Sequence, residues 1–123
     1  MGDHALFADP QTLTVNAVGT DLAAISRAAL SSAYRDADGV YKLSISHTEG
    51  SKRDRRMVRV DWTKTTTDPF VDGNNVEVSM SAYLVLDHPV YGFSAAEKGY
   101  IISALCDWLA DSTDIAQFVG GES

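Results

Sequence analysis

The chain has 123 residues, 45% hydrophobic and 22% charged, and 17 acids against 10 Lys/Arg leave a net charge of −7. That is the profile of one soluble globular domain, residues 1–123, large enough to bury roughly two-thirds of its unfolded surface. No apolar run approaches the ~20 residues that span a bilayer, and a single cysteine, Cys106, excludes an internal disulfide.

The first eleven residues read as an irregular arm with a turn signal at Asp9-Pro10. Met1-Gly2-Asp3-His4 has no signal-peptide pattern, so the cytosol is the expected compartment of synthesis. Two short strands are expected at residues 12–15 and 21–26 around a turn near Val18-Gly19, and a third at 32–36, ended by Asp38-Gly39.

Three longer segments alternate with period two. Over residues 41–48, Tyr41, Leu43, Ile45 and His47 share one face, and Lys42, Ser44, Ser46 and Thr48 the other. Over 56–63, Val58, Val60 and Trp62 oppose Met57, Arg59 and Asp61. Over 76–86 the apolar side runs from Val76 through Val78, Met80, Ala82, Leu84 and Leu86, and Ser81 and Tyr83 lie on the reverse. Such alternation predicts an antiparallel sheet with one apolar and one polar face. Between the last two strands, residues 65–75 form an eleven-residue loop with Pro69 and Gly73, long enough to adapt to neighbouring subunits.

The period then changes. Ser94-Ala95-Ala96-Glu97 is a capping box, and Ile101, Leu105, Trp108 and Leu109 predict a helix from about 95 to 111. A short second helix is expected at about 114–119, before Gly120-Gly121. Strands first and helices last make an α+β layout. Only a few residues join the last strand to the helix. If that turn carries the helix away from its own sheet, its apolar stripe must be buried on another chain, so a dimer with exchanged helices is expected.

Charge is unevenly spread. Residues 42–64 hold seven Lys/Arg (Lys42, Lys52, Arg53, Arg55, Arg56, Arg59 and Lys64) against three acids, a net +4, leaving −11 for the rest. The run Lys52-Arg53-Asp54-Arg55-Arg56 alone reads as a solvated hairpin tip. Its extension through Arg59 and Lys42, beside Ser44, Ser46 and Thr48, makes a grid of phosphate donors on a sheet. Single-stranded or hairpin RNA suits such a surface better than a DNA groove does.

Tyr83 is placed either to stack on a base or to pack as a half-exposed strand residue. His47 reads as a core histidine, Cys106 as a small core residue, and His4 and His88 as arm and turn residues. No His/Cys spacing suits a metal, and no G-x-S-x-G, P-loop or G-x-G-x-x-G is present. No catalytic site, metal, cofactor, small-molecule substrate or membrane partner is expected. An enzyme would need buried polar groups on the apolar face, where His47 is the one candidate.

The pattern resembles the coat proteins of single-stranded RNA bacteriophages, the leviviruses. Its most specific stretches are Tyr41-Lys42-Leu43-Ser44-Ile45-Ser46-His47-Thr48 and Arg55-Arg56-Met57-Val58-Arg59-Val60-Asp61-Trp62, followed by residues 83–89 and the terminal Gly121-Glu122-Ser123. The resemblance implies an N-terminal β-hairpin, a five-stranded antiparallel sheet and two C-terminal helices exchanged in an interlocked homodimer. The two sheets would join into a ten-stranded surface lining an icosahedral, T=3-like capsid that packages genomic RNA, with the 65–75 loop at the symmetry axes. It also implies an operator hairpin whose binding represses translation, and a life divided between virion and host cytoplasm.

Residue by residue, the resemblance implies RNA-facing places for Lys42, Ser44 and Ser46, a basic contact at Arg59 and an acidic neighbour at Asp61. Three positions depart from the family pattern. Met57 stands where a hydroxyl residue helps form an adenine pocket, Ser81 where a tyrosine stacks on a base, and Thr48 where a basic residue lies; Tyr83 is two residues beyond Ser81 on the same face. With Arg55 and Arg56 these complete the expected RNA surface. The rival reading is a dimeric RNA- or DNA-binding regulator that never assembles.

Overall fold

A computed structural model describes residues 7–71 and 73–123. Met1 to Leu6, including His4, lie outside the described residues, as does Asp72 within the loop. Six strands form one antiparallel sheet in chain order: β1 (Gln11–Val15), β2 (Val18–Arg27), β3 (Ser31–Arg35), β4 (Tyr41–Glu49), β5 (Arg53–Thr67) and β6 (Asn75–Pro89). Helices α1 (Ala95–Ala110) and α2 (Ser112–Val119) follow. The chain divides into two units, Met1–Asp87 and His88–Ser123.

This is the α+β order expected, with two differences in detail. The hairpin is not separate from a five-stranded sheet: β2 is long enough to pair with both β1 and β3, giving six strands. Its turn is Asn16-Ala17, not Val18-Gly19. Both turn residues have positive φ, 50° and 66°, the backbone that a two-residue hairpin needs to match strand twist. A bulge between Ala24 and Ser26 then shifts the register of β2 against β3.

The first unit has its own core. Leu22, Tyr34 and Ile45 are buried, with Leu13, Ala24, Tyr41 and Leu43 packed around them. Each such side chain contributes about 1.5–3 kcal/mol when fully buried. Residues ahead of β1 are tied across it: Asp9 accepts the Ala24 N–H at 2.9 Å, and the Phe7 carbonyl accepts from Arg27. The turn before β4 closes through buried Asp36, whose carboxylate accepts the Tyr41 N–H at 3.1 Å, while Gly39 takes φ 73°.

Strand β5 starts earlier and ends later than the alternation predicted, so the loop shrinks to residues 68–74. Asp68 holds it, donating its N–H to the Asn74 carbonyl and accepting the Phe70 N–H on its carboxylate at 2.8 Å. Phe70 is left 93% exposed. His88, expected in a turn, is a buried residue of β6 with Nδ1 2.8 Å from the Pro89 carbonyl.

In the second unit the capping box forms as expected. Ser94 accepts the Glu97 N–H at 3.1 Å and donates its own N–H to the Glu97 carboxylate at 2.9 Å. Helix α2 begins two residues earlier than predicted because Asp111 caps it, accepting the N–H groups of Thr113 and Asp114. Neither helix contains a buried residue. Cys106, expected in a core, is exposed.

Candidate nucleic-acid interface

The pairing of β4 with β5 decides which side chains share a surface. Lys42 lies opposite Asp61, Ser44 opposite Arg59, Ser46 opposite Met57 and Thr48 opposite Arg55. Directly opposed residues on antiparallel strands point to the same side, with Cβ atoms about 4.5–5.5 Å apart. Eight of the expected residues therefore form one contiguous polar face.

Between the strands this face is hollowed into an open groove of about 420 Å³. Lys42, Ser44, Ser46, Met57, Arg59 and Asp61 line it from β4 and β5, and Ser26, Ser31 and Ala33 close it from β2 and β3. The alternation of the long strands gave no hint of that last wall. Ser31 and Ala33 sit on a strand too short to show a period, and Ser26 is placed by the bulge.

Arg59 is held in place. Its Nε donates to the Asp61 carboxylate at 2.9 Å, and its guanidinium carbon lies 5.9 Å from the centre of the Tyr83 ring. The contact places Tyr83, and by alternation Ser81, on the polar side of β6. Tyr83 remains 65% exposed, so a ring surface is available for stacking next to the groove. At the strand ends Arg53 joins the same face and pairs with Asp87 at 2.9 Å.

Arg56 does not belong to this surface. It lies opposite His47, on the apolar side, with its guanidinium 3.5 Å from Glu49 and 3.8 Å from Asp54. The reason is the pleat itself: adjacent residues in a strand face opposite ways, so a basic run in sequence is divided between two surfaces. Lys64 also falls on the apolar side, 6.0 Å from the Trp62 ring centre. That side carries a smaller hollow of about 170 Å³ between Trp62, Lys64, Val78, Ser79 and Met80.

Among the described residues no three His, Cys, Asp or Glu side chains gather as a metal site, and no helix is long and apolar enough to cross a membrane. What the polar face offers is donors: hydroxyls and cations in register across neighbouring strands, with no nucleophile–base pair among them.

Comparison with known proteins gives this arrangement a family. The family model described as the phage phiCb5 coat protein matches residues 8–89. No curated protein sequence matches the chain. Among solved structures, the virus-like particle of bacteriophage AVE019 is similar at a TM-score of 0.82 and 12% identity, covering 94% of this chain and 97% of its own. That of Beihai levi-like virus 21 gives 0.73 at 9% identity, over 96% of this chain and 98% of its own. The bacteriophage GA capsid protein gives 0.66 at 14%, over 94% of this chain and 95% of its own. Identities this low speak for the fold, which is that of RNA phage coats. The family match spans most of the chain and includes all of β1 to β6: the protein belongs to the phage phiCb5 coat protein family, a structural and non-enzymatic component of the virion capsid.

Proposed function

We propose that this coat protein forms a helix-exchanged homodimer, that its dimers build an icosahedral, T=3-like shell, and that the polar sheet face lines that shell and packages single-stranded RNA. The observation that carries the reading is the groove in which Lys42, Ser44, Ser46 and Arg59 converge in register. The structural relatives supply the precedent of particles. The helices support the argument for a partner, because neither α1 nor α2 of the one coat-protein domain contains a buried residue. Helix α1 is apolar nearly all round, with Tyr100, Ile101, Ile102, Leu105, Trp108 and Leu109 in sixteen residues. Such a helix is stable where it is covered on more than one side. Half-burying six large side chains of α1 and α2 would contribute on the order of 5–10 kcal/mol.

RNA would be held mainly through phosphate. Lys42, Arg55 and Arg59 put about six cations on a dimer, which predicts a log–log salt slope of about −4 on single-stranded RNA. Repression through an operator hairpin is the narrower part of the proposal. Met57 in the groove makes its base slot apolar where a hydroxyl is expected, so the hairpin bound would differ from those of coats with the family pattern.

Electron microscopy of the expressed protein, with assay of encapsidated RNA, tests the reading. Wild type should give RNA-filled particles, and K42Q/R55Q/R59Q should give dimers or particles with little RNA. Unchanged RNA content in the triple variant overturns the lining assignment. A wild-type species of only twice the 13.3 kDa chain would mean a non-assembling regulator.

A further inference from the structure

We infer that Arg35 is a further phosphate contact, extending the RNA track from β4 onto β3. The inference rests on the reading of the polar face as the RNA surface and adds a residue that the sequence pattern did not suggest.

Arg35 is the last residue of β3 and pairs with Lys42, just as Ala33 pairs with Ser44. Register therefore puts its side chain on the polar face, beside Lys42 and across from the groove. Both residues are exposed. The stem of Arg35 runs past the β3–β4 turn, with Cδ 4.0 Å from where a side chain at Gly39 would begin.

Two like charges directly opposed on neighbouring strands destabilise a sheet. Of the acids on this face, Asp21, two residues from the Ala23 that lies opposite Arg35, accepts from the Thr12 hydroxyl at 3.0 Å. Asp61, opposite Lys42, accepts from Arg59, and Asp87 accepts from Arg53. Among the described residues neither Arg35 nor Lys42 has an ion pair with a carboxylate. Lys42 and Arg59 thus flank the carboxylate of Asp61, and Arg35, one strand further on, is left beside Lys42. The repulsion is relieved when an anion lies over the Arg35–Lys42 pair. A guanidinium fork suits a phosphate better than any other anion on RNA. The bases do not supply such a charge, so the ligand is the backbone and the contact is blind to sequence.

The test uses purified protein freed of nucleic acid and a fluorescent oligouridylate, with affinity measured across a salt series. Arg35→Gln should lower the magnitude of the log–log slope by about 0.7, the value of one single-strand phosphate. Lys42→Gln should do the same, and Lys64→Gln on the opposite side should leave it unchanged. Arg35→Lys should retain the slope. A role in folding alone would not give the second signature: Arg35→Gln should raise the thermal midpoint of the RNA-free protein while weakening binding. If Lys42→Gln lowers the slope and Arg35→Gln does not, Arg35 is no contact and the surface reading stands. If Arg35→Gln, Lys42→Gln and Arg59→Gln all leave the slope at its wild-type value, the surface reading itself fails and Arg35 with it.

Discussion

Strands β1 to β4 and helices α1 and α2 are built on opposite economies of burial. The strands enclose Leu22, Tyr34 and Ile45 within their own chain, and their alternation gives one dry and one wet face. The helices carry as many large apolar residues but enclose none: Trp108 is 54% exposed, Ile101 62% and Phe118 65%. An element that folds on its own contacts and one that is covered by a partner, as proposed for the helices, should respond differently to the same mutation.

The largest effect that could break this contrast is expected at Trp108. If a partner covers it in the proposed helix-exchanged dimer, Trp108→Ala should cost about 3–5 kcal/mol, the cost of emptying a buried site. It should appear as a lower denaturation midpoint that depends on protein concentration. An unchanged midpoint would mean that the helices stay wet and no partner covers them. Next is Tyr34→Ala in the strand core, at about 3 kcal/mol by urea denaturation. Tyr34→Phe should recover nearly all of that, because the hydroxyl reaches the Phe7 carbonyl at only 3.5 Å. Ser94→Ala removes one arm of the capping box and should cost about 1 kcal/mol, read as a lower thermal midpoint, with Ser94→Asp close to wild type. The smallest effect is Arg53→Ala. Its bridge to Asp87 is exposed, so the change in stability should stay within about 1 kcal/mol.

Much of the fold can be read from residue types because two periods dominate it. The alternation over 41–48, 56–63 and 76–86 returned as β4, β5 and β6, and the spacing of Ile101, Leu105 and Trp108 as α1. The capping box was legible to the residue, since it depends on two side chains three apart. What escaped was set by backbone geometry and pairing. The positive-φ turn at Asn16-Ala17 carries no glycine to announce it. Ser26, Ser31 and Arg35 became part of the polar face only through the register of β2 and β3. Arg56 shows the reverse limit. Counting charges along the chain groups it with Arg55, and the pleat separates them.

That separation is guarded at one short turn. The Gly50 N–H donates to the Arg53 carbonyl at 3.1 Å and to the Asp54 carboxylate at 3.2 Å, and a Cβ there would come within 2.8 Å of the same carbonyl. The position of Gly50 is thus closed to a side chain, and its two hydrogen bonds hold the start of β5 against the end of β4. One codon inserted between Gly50 and Lys52 would slip the strand by a step and exchange its two sides. Val58 and Val60 would then lie on the polar face and Arg59 on the apolar one, and if the polar face lines a shell as proposed, the particle would show little nucleic-acid absorbance.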